Sequence, residues 1–325
     1  MRVVRALLFA LFAAITLALP TTWAAAQDYP NRPIRFVVPF TAGSSTDIAA
    51  RAVADRLGTA LGQPIVVENR AGAGGRVGAE VVAKATPDGY TLLIHSSAHT
   101  ANPAIYKDLP FDTVNDFAAI TPLVNLPNVL IVAPARGFKT VADLVAYAKA
   151  NPGKLNFASA GVGSATHMNA EKFRARAGIE YTHVPFKGTP EVLTDLMSGR
   201  VDAYFVPLNA GLPYIRDNRV VALAVGTAQR SPLLPDVPTT IEAGVADSDY
   251  NFWLGMLAPA KTPRPIITRL NAETVKALQS PELTERLKTL GAVPMPMSPE
   301  QFDAYIRAEL VSIADIVKAA GIKPN

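Results

Sequence analysis

Along this chain, short runs of β-branched and aromatic residues alternate with longer stretches whose apolar positions recur at helical spacing, and Gly, Pro, Ser or Asn separates them. The pattern predicts strands at 33–40 (PIRFVVPF), 63–68 (QPIVVE), 90–95 (YTLLIH) and 128–134 (NVLIVAP), with helices at 46–62, 76–85 and 141–150. It then restarts, with strands at 155–159, 180–184, 201–206, 220–225 and 252–258 (FWLGMLA) and helices at 166–177 and 190–198. A helical tail covers 263–279, 281–290 and 299–320. Strands that alternate with helices predict α/β layers built on parallel sheets.

One short pattern occurs twice. Gly43-Ser44-Ser45-Thr46-Asp47 follows the first strand, and Gly163-Ser164-Ala165-Thr166-His167 follows a strand about 120 residues later. Each precedes a helix and then another strand, which suggests two βαβ halves. In open α/β sheets the edge carrying such turns is where ligands sit, and in two domains the turns would face each other across a cleft. A Gly/Ser turn at a helix start exposes unpaired N–H groups at the positive end of the helix dipole, so it can hold carboxylate, sulfate or phosphate without Lys or Arg. The competing reading is that Ser44, Ser45, Thr46, Ser164 and Thr166 only cap their helices.

The start of the chain changes this picture by addressing it. Arg2 and Arg5 precede an apolar run at 6–19, Pro20 breaks it, and Ala24-Ala25-Ala26 offers a small-residue cleavage site. Residues 1–26 therefore read as a signal peptide cleaved near Ala26, with an uncleaved anchor as the alternative, and the mature protein is expected in the periplasm. Removing the two arginines lowers the formal charge from +4 to +2, and no charge run favours a nucleic-acid partner. With no cysteine in the chain, disulfides, a lipid-bearing cysteine and cysteine-based metal or catalytic sites are excluded. The remaining 299 residues suffice for two domains stabilised by their cores.

Other candidate chemistry is weaker. Gly72-Ala73-Gly74-Gly75-Arg76-Val77-Gly78 resembles a dinucleotide fingerprint, but Val77 stands where its third glycine belongs, so a tight turn into the next helix is expected. His95 and His99 are four apart but leave a strand with no acidic third ligand nearby, so neither a metal nor a cofactor is expected. Ser164 and His167 could belong to an exported hydrolase, but no G-x-S-x-G elbow surrounds the serine. His183 reads as polar structure.

Longer blocks carry a resemblance. YPNRPIRFVVPF at 29–40, VVENRAGAGGRVGAEVVAKATPDGYTLL at 66–93 and NPAIYKDLPFDTVNDFAAIT at 102–121 are followed by NPGKLNFASAGVGSATH at 151–167 and HVPFKGTPEVLTDLMSGRVDAYF at 183–205. RSPLLPDVPTTIEAG at 230–244 and LAPAKTPRPIITRLN at 257–271 complete the order. In this order the blocks resemble the Bug-type receptors, the solute-binding components of tripartite tricarboxylate transporters, over essentially the whole mature chain. The resemblance implies a two-domain periplasmic-binding-protein fold, a Venus flytrap of type II-like form. Domain 1 would comprise 27–128 plus 249–325 and domain 2 would comprise 129–248, with crossings near 128–134 and 250–257 and the ligand between the domains. It implies a monomer that binds a small organic carboxylate without catalysis and delivers it to the membrane components of the transporter; an exported sensor presenting the ligand to a membrane signalling protein is the alternative.

Carried over by position, the family's binding residues fall on Phe40, Ala42, Gly43, Ser44 and Asp47, then Ser96 and Ser97, and in the second domain on Ser159, Ala160, Gly161, Ser164 and His167, with Lys187 and the 206–209 stretch, including Pro207 and Asn209, nearby. Asp47 is expected to cap its helix or order water, because its charge would repel a carboxylate, and Phe40 to pack on the ligand's apolar part. The first turn departs from the family's usual F-P-A-G-G. Here it reads Phe40-Thr41-Ala42-Gly43-Ser44, which removes a fixed φ and adds a side chain near the pocket.

Overall fold

The computed structural model describes residues 29–319 and 321–322; the segment read as a signal peptide lies outside the described residues. The first sheet is built from β1 (Ile34–Val38), β2 (Ile65–Asn69), β3 (Thr91–Ser96), β4 (Phe117–Leu126), β10 (Phe252–Pro259) and β11 (Val293–Pro294), in the order β11-β4-β10-β3-β1-β2. The second contains β5 (Asn128–Val132), β6 (Asn156–Ser159), β7 (Thr182–Pro185), β8 (Ala203–Pro207) and β9 (Val221–Val225), in the order β7-β6-β8-β5-β9.

The two orders are the same arrangement. In each sheet three strands run parallel, β2-β1-β3 or β7-β6-β8, and the next strand, β10 or β5, is antiparallel to its neighbours. That inserted strand is the one whose chain has just come from the other lobe. The outward crossing is a single residue, Pro127, between β4 and β5. Beside it the return path is held by hydrogen bonds from Gly226 N to Asn128 O (2.7 Å) and from Tyr250 N to Gly226 O (2.8 Å) before the chain re-enters the first sheet at Phe252.

Both faces of each sheet are covered, as period-two burial requires. In the first lobe Ile34, Phe36, Leu92, Ile94, Leu254 and Met256 pack beneath α1 (Ser45–Leu61), α8 (Arg264–Leu278) and α9 (Pro281–Thr289). Val37, Leu93, Trp253 and Leu257 face the other way, toward α2 (Arg76–Ala83) and α10 (Pro299–Ala319). In the second lobe Leu130, Val132, Phe157 and Phe205 meet α4 (Val141–Ala150) and α5 (Ala165–Ala177), while Val129, Ile131, Tyr204 and Val206 meet α6 (Thr189–Met197) and α7 (Leu208–Arg216). Full burial of each such side chain contributes roughly 1.5–3 kcal/mol, and in a chain without cysteine these clusters stabilise both lobes with no disulfide.

The periodic reading misses four strands and helices, one of them the two-residue β11. β4 contains Pro122 and pairs with β10 through two register shifts, so its pattern never alternates cleanly. α3 (Ala98–Ile105) and α7 are short and carry Pro103 and Pro213 inside them, residues that sequence reasoning treats as breakers.

α10 braces the first lobe behind the cavity and also touches α5 of the second. From it Glu309 accepts hydrogen bonds from Trp253 Nε1 (2.6 Å) and Thr100 Oγ1 (2.8 Å). Burial pushes this carboxyl up to about 7, against the pull of those two bonds. A raised folded-state pKa means the folded chain holds the proton longer than the unfolded one, so stability is full below the ordinary value near 4.5 and is lost as pH rises through about 7. Glu309→Gln keeps an acceptor oxygen without the charge. Scanning calorimetry should place its Tm a few degrees above that of the parent at pH 8 and level with it at pH 5; an equal gap at both pH values would refute the assignment.

Candidate functional site

The repeated turns close onto one cavity. The first lobe contributes Phe40, Ser44, Ser45, Thr46, Ser96 and Phe252 to its lining, and the second contributes Ala160, Ser164, Ala165, Thr166 and Thr189. No charged side chain is among them.

The turns are near-copies in three dimensions. Gly43 and Gly163 both have φ +77°, a left-handed conformation in which any side chain is strained. Ser44 (φ −68°, ψ 160°) and Ser164 (φ −65°, ψ 157°) are the N-caps of α1 and α5, accepting from Asp47 N (3.4 Å) and His167 N (3.2 Å). Each cap therefore satisfies the third amide of its helix. The amides before it, on Ser45 and Thr46 and on Ala165 and Thr166, belong to the first turn, where no carbonyl of the same helix can accept. All four residues line the cavity. Two helix N-termini thus meet across it, and their partial positive charges suit an anion better than any other guest.

The fifth residue of each pattern holds its glycine. Gly43 N donates to Asp47 Oδ2 (2.9 Å) and Gly163 N to His167 Nδ1 (3.2 Å). Asp47 is buried behind its turn and also accepts from Arg51 Nε and Asn69 Nδ2, each at 3.0 Å. Burial alone would raise its carboxyl, but the bonds from Arg51, Gly43 and Asn69 outweigh burial and hold it below the usual carboxylate range. Burial, aided by the charge of Arg174, depresses His167 to about 4, so at neutral pH its Nδ1 lone pair is available to Gly163. His167 stacks on His183 at 4.0 Å, and His183 Nε2 lies 2.6 Å from Ser159 Oγ, which in turn accepts from Gly161 N (3.1 Å).

Of the residues expected from sequence, Phe40, Ser44, Ser96, Ala160 and Ser164 line the cavity. Asp47, Ser159, Gly161 and His167 sit one layer back and shape the turns, while Gly43 is exposed and held by Asp47. Ser97 is buried with its hydroxyl 3.4 Å from Tyr250 OH, and Ala42 and Lys187 are exposed. Pro207 ends β8, and Asn209 Nδ2 donates to Ser45 O (3.0 Å) across the lobes. Ser45, Thr46, Ala165 and Thr166, part of the repeated turns but not of the residues carried over, complete the lining with Thr189 and Phe252, which were not foreseen at all. Thr189 follows Gly188 and precedes Pro190, a helix-start signature that could have flagged it, whereas nothing sets Phe252 apart from the apolar strand it begins.

Ser164 and His167 do not form a nucleophile and base, because the hydroxyl takes the histidine's backbone N–H while the ring takes that of Gly163. His95 and His99 lie buried with ring centroids 5.6 Å apart, and among the described residues no group of three His, Asp or Glu could hold a metal. The glycines at 72–75 form a tight turn into α2 and bring the lobes together: a Cβ on Gly74 would lie 2.0 Å from Val162 O of the opposite lobe.

The profile described as tripartite tricarboxylate transporter family receptor matches residues 49–322. The chain belongs to this family. It is 36% identical over 300 residues to the protein BugT of Bordetella pertussis, covering 92% of each chain. Among solved structures it is similar to R. palustris Rpa4515 with adipate (36% identity, TM-score 0.89, covering 92% of this chain and 100% of that one). It is also similar to MatC from Rhodopseudomonas palustris with bound malate (33% identity, TM-score 0.85, 89% and 100%). The periplasmic-binding-protein fold and Bug-type membership inferred from the sequence are thereby borne out. No helix among the described residues of this family member is long and apolar enough to cross a membrane.

Asp47→Ala leaves Gly43 N–H and Arg51 without their shared acceptor. Urea unfolding should show a loss on the order of 2 kcal/mol, as a lower midpoint at unchanged slope; an unmoved midpoint would mean that the first turn does not depend on this carboxylate.

Proposed function

We propose that this protein is a periplasmic receptor that closes its two lobes over a small organic carboxylate and presents it, as a monomer, to the membrane components of a tripartite tricarboxylate transporter. Residues 1–26 would direct its export. Lobe boundaries at 128/129 and 248/249 fit a hinge at Pro127 and Tyr250.

One observation carries the reading: two helix N-termini, each with first-turn amides beside the cavity, face the same space with no cation in its lining. An acid's oxygens supply the negative charge that this geometry lacks. Phe40 and Phe252 offer apolar surface to the rest of the guest, and the hydroxyls of Ser45, Thr46 and Ser96 offer further donors. The adipate and malate in the two related structures support the same ligand class. Binding is non-catalytic, and closure follows because the second turn contacts the ligand only when the lobes are together, which gives the closed state its differential affinity.

Proline at the first helical position removes one amide at little cost to the helix, and Ser164 already has the extended conformation that a following proline requires. Ala165→Pro therefore tests the amides directly. With a carboxylate found by thermal-shift screening, in which saturation at about 100 times Kd adds about 2.7 kcal/mol, calorimetric titration should show affinity reduced by about tenfold to a hundredfold. Unfolding should be little changed. Undiminished affinity in this variant, or stabilisation of the parent by a sugar or a cation and by no acid, would overturn the reading.

A further inference from the structure

Resting on the receptor reading, we propose that the turn ahead of α6 is a closure latch, with Thr41 and Glu191 as the pair that sets how long a bound acid is retained. Within this turn, successive residues face different partners. Thr189 lines the cavity and places its hydroxyl 3.0 Å from that of buried Tyr204, so its position is fixed from inside the second lobe. Gly188, Pro190 and Glu191 meet the first lobe instead. Glu191 Oε2 accepts from Thr41 Oγ1 at 3.1 Å, and Pro190 Cγ would lie 3.5 Å from a Cβ on Gly43. A Cβ on Gly188 would lie 1.9 Å from Thr41 Oγ1. Gly188 is extended (φ −176°), so its requirement for glycine is one of space alone.

The cavity wall and the interlobe seam are therefore adjacent residues of one turn. Elsewhere the seam is held by Tyr106 OH donating to Val162 O (2.9 Å) and Asn209 Nδ2 donating to Ser45 O (3.0 Å), both onto backbone carbonyls. Thr41 donates to a carboxylate, the stronger kind of acceptor, and that carboxylate lies in the first turn of α6, where the helix dipole favours negative charge. Encounter with an acid takes place while the lobes are apart and this bond is absent. Escape requires it to break. The pair acts on dissociation and leaves association unaltered.

The test is stopped-flow binding to the full mature chain, with adipate, malate and a panel of other mono- and dicarboxylates as probes. Thr41→Val and Glu191→Ala should each speed dissociation about tenfold with association within twofold of the parent, and the double variant should be no worse than either single. Glu191→Gln keeps an acceptor oxygen and should recover most of the loss. Parental dissociation rates in Thr41→Val and Glu191→Ala, or an effect confined to association, would each overturn the latch alone. A parent that binds none of the acids would overturn the receptor reading, and with it the latch as a device for retaining ligand.

Discussion

Two helices begin at one cavity, and the peptide N–H groups of their first turns have no carbonyl within the helix to accept them. The rest of the molecule is organised around that deficit. Bringing two such ends together puts like partial charges face to face, which is unfavourable in a low-dielectric space unless something negative lies between them. The absence of cations from the cavity lining is part of the same arrangement. A lysine or arginine there would grip an anion in either lobe alone, whereas dipoles divided between lobes give their full effect only when both are in place.

The lobes achieve this by repeating one construction. Each sheet sets its Gly-Ser turn after the central strand of a parallel trio, β1 or β6, and each accepts one antiparallel strand from the neighbouring lobe. The exchange of β5 and β10 places the crossings side by side, so that the chain changes lobe at Pro127 and returns next to it. Closure then depends on surfaces with little side-chain bulk. Gly74 lies against Val162 and Gly188 against Thr41, where a methyl group would hold the lobes apart.

Much of this was legible in the sequence because it is local. The alternation of strand and helix, the Gly-Ser caps at 43–44 and 163–164 and the terminal helices all depend on neighbours a few residues away. What sequence could not show depends on distant partners. β4 is a strand because β10 and β11 flank it, despite Pro122. α3 and α7 persist around internal prolines because the lobes bury them. The seam that Gly74 makes looked like half of a nucleotide motif, since nothing nearby in the chain reveals Val162. Lys187 was carried over by position, whereas Thr189, two residues on, is the residue that reaches the cavity.

The near-copies differ at two positions, Ser45 against Ala165 and Asp47 against His167, and the second difference has a consequence. In the first turn the group that fixes the glycine amide is a carboxylate clamped by an arginine, and in the second it is a neutral imidazole. Moderate acidity leaves the former intact, but near pH 4 it puts a proton on the very lone pair that the latter uses. Acidification therefore slackens the second turn before the first, so two turns of nearly the same shape differ in the acidity that each withstands.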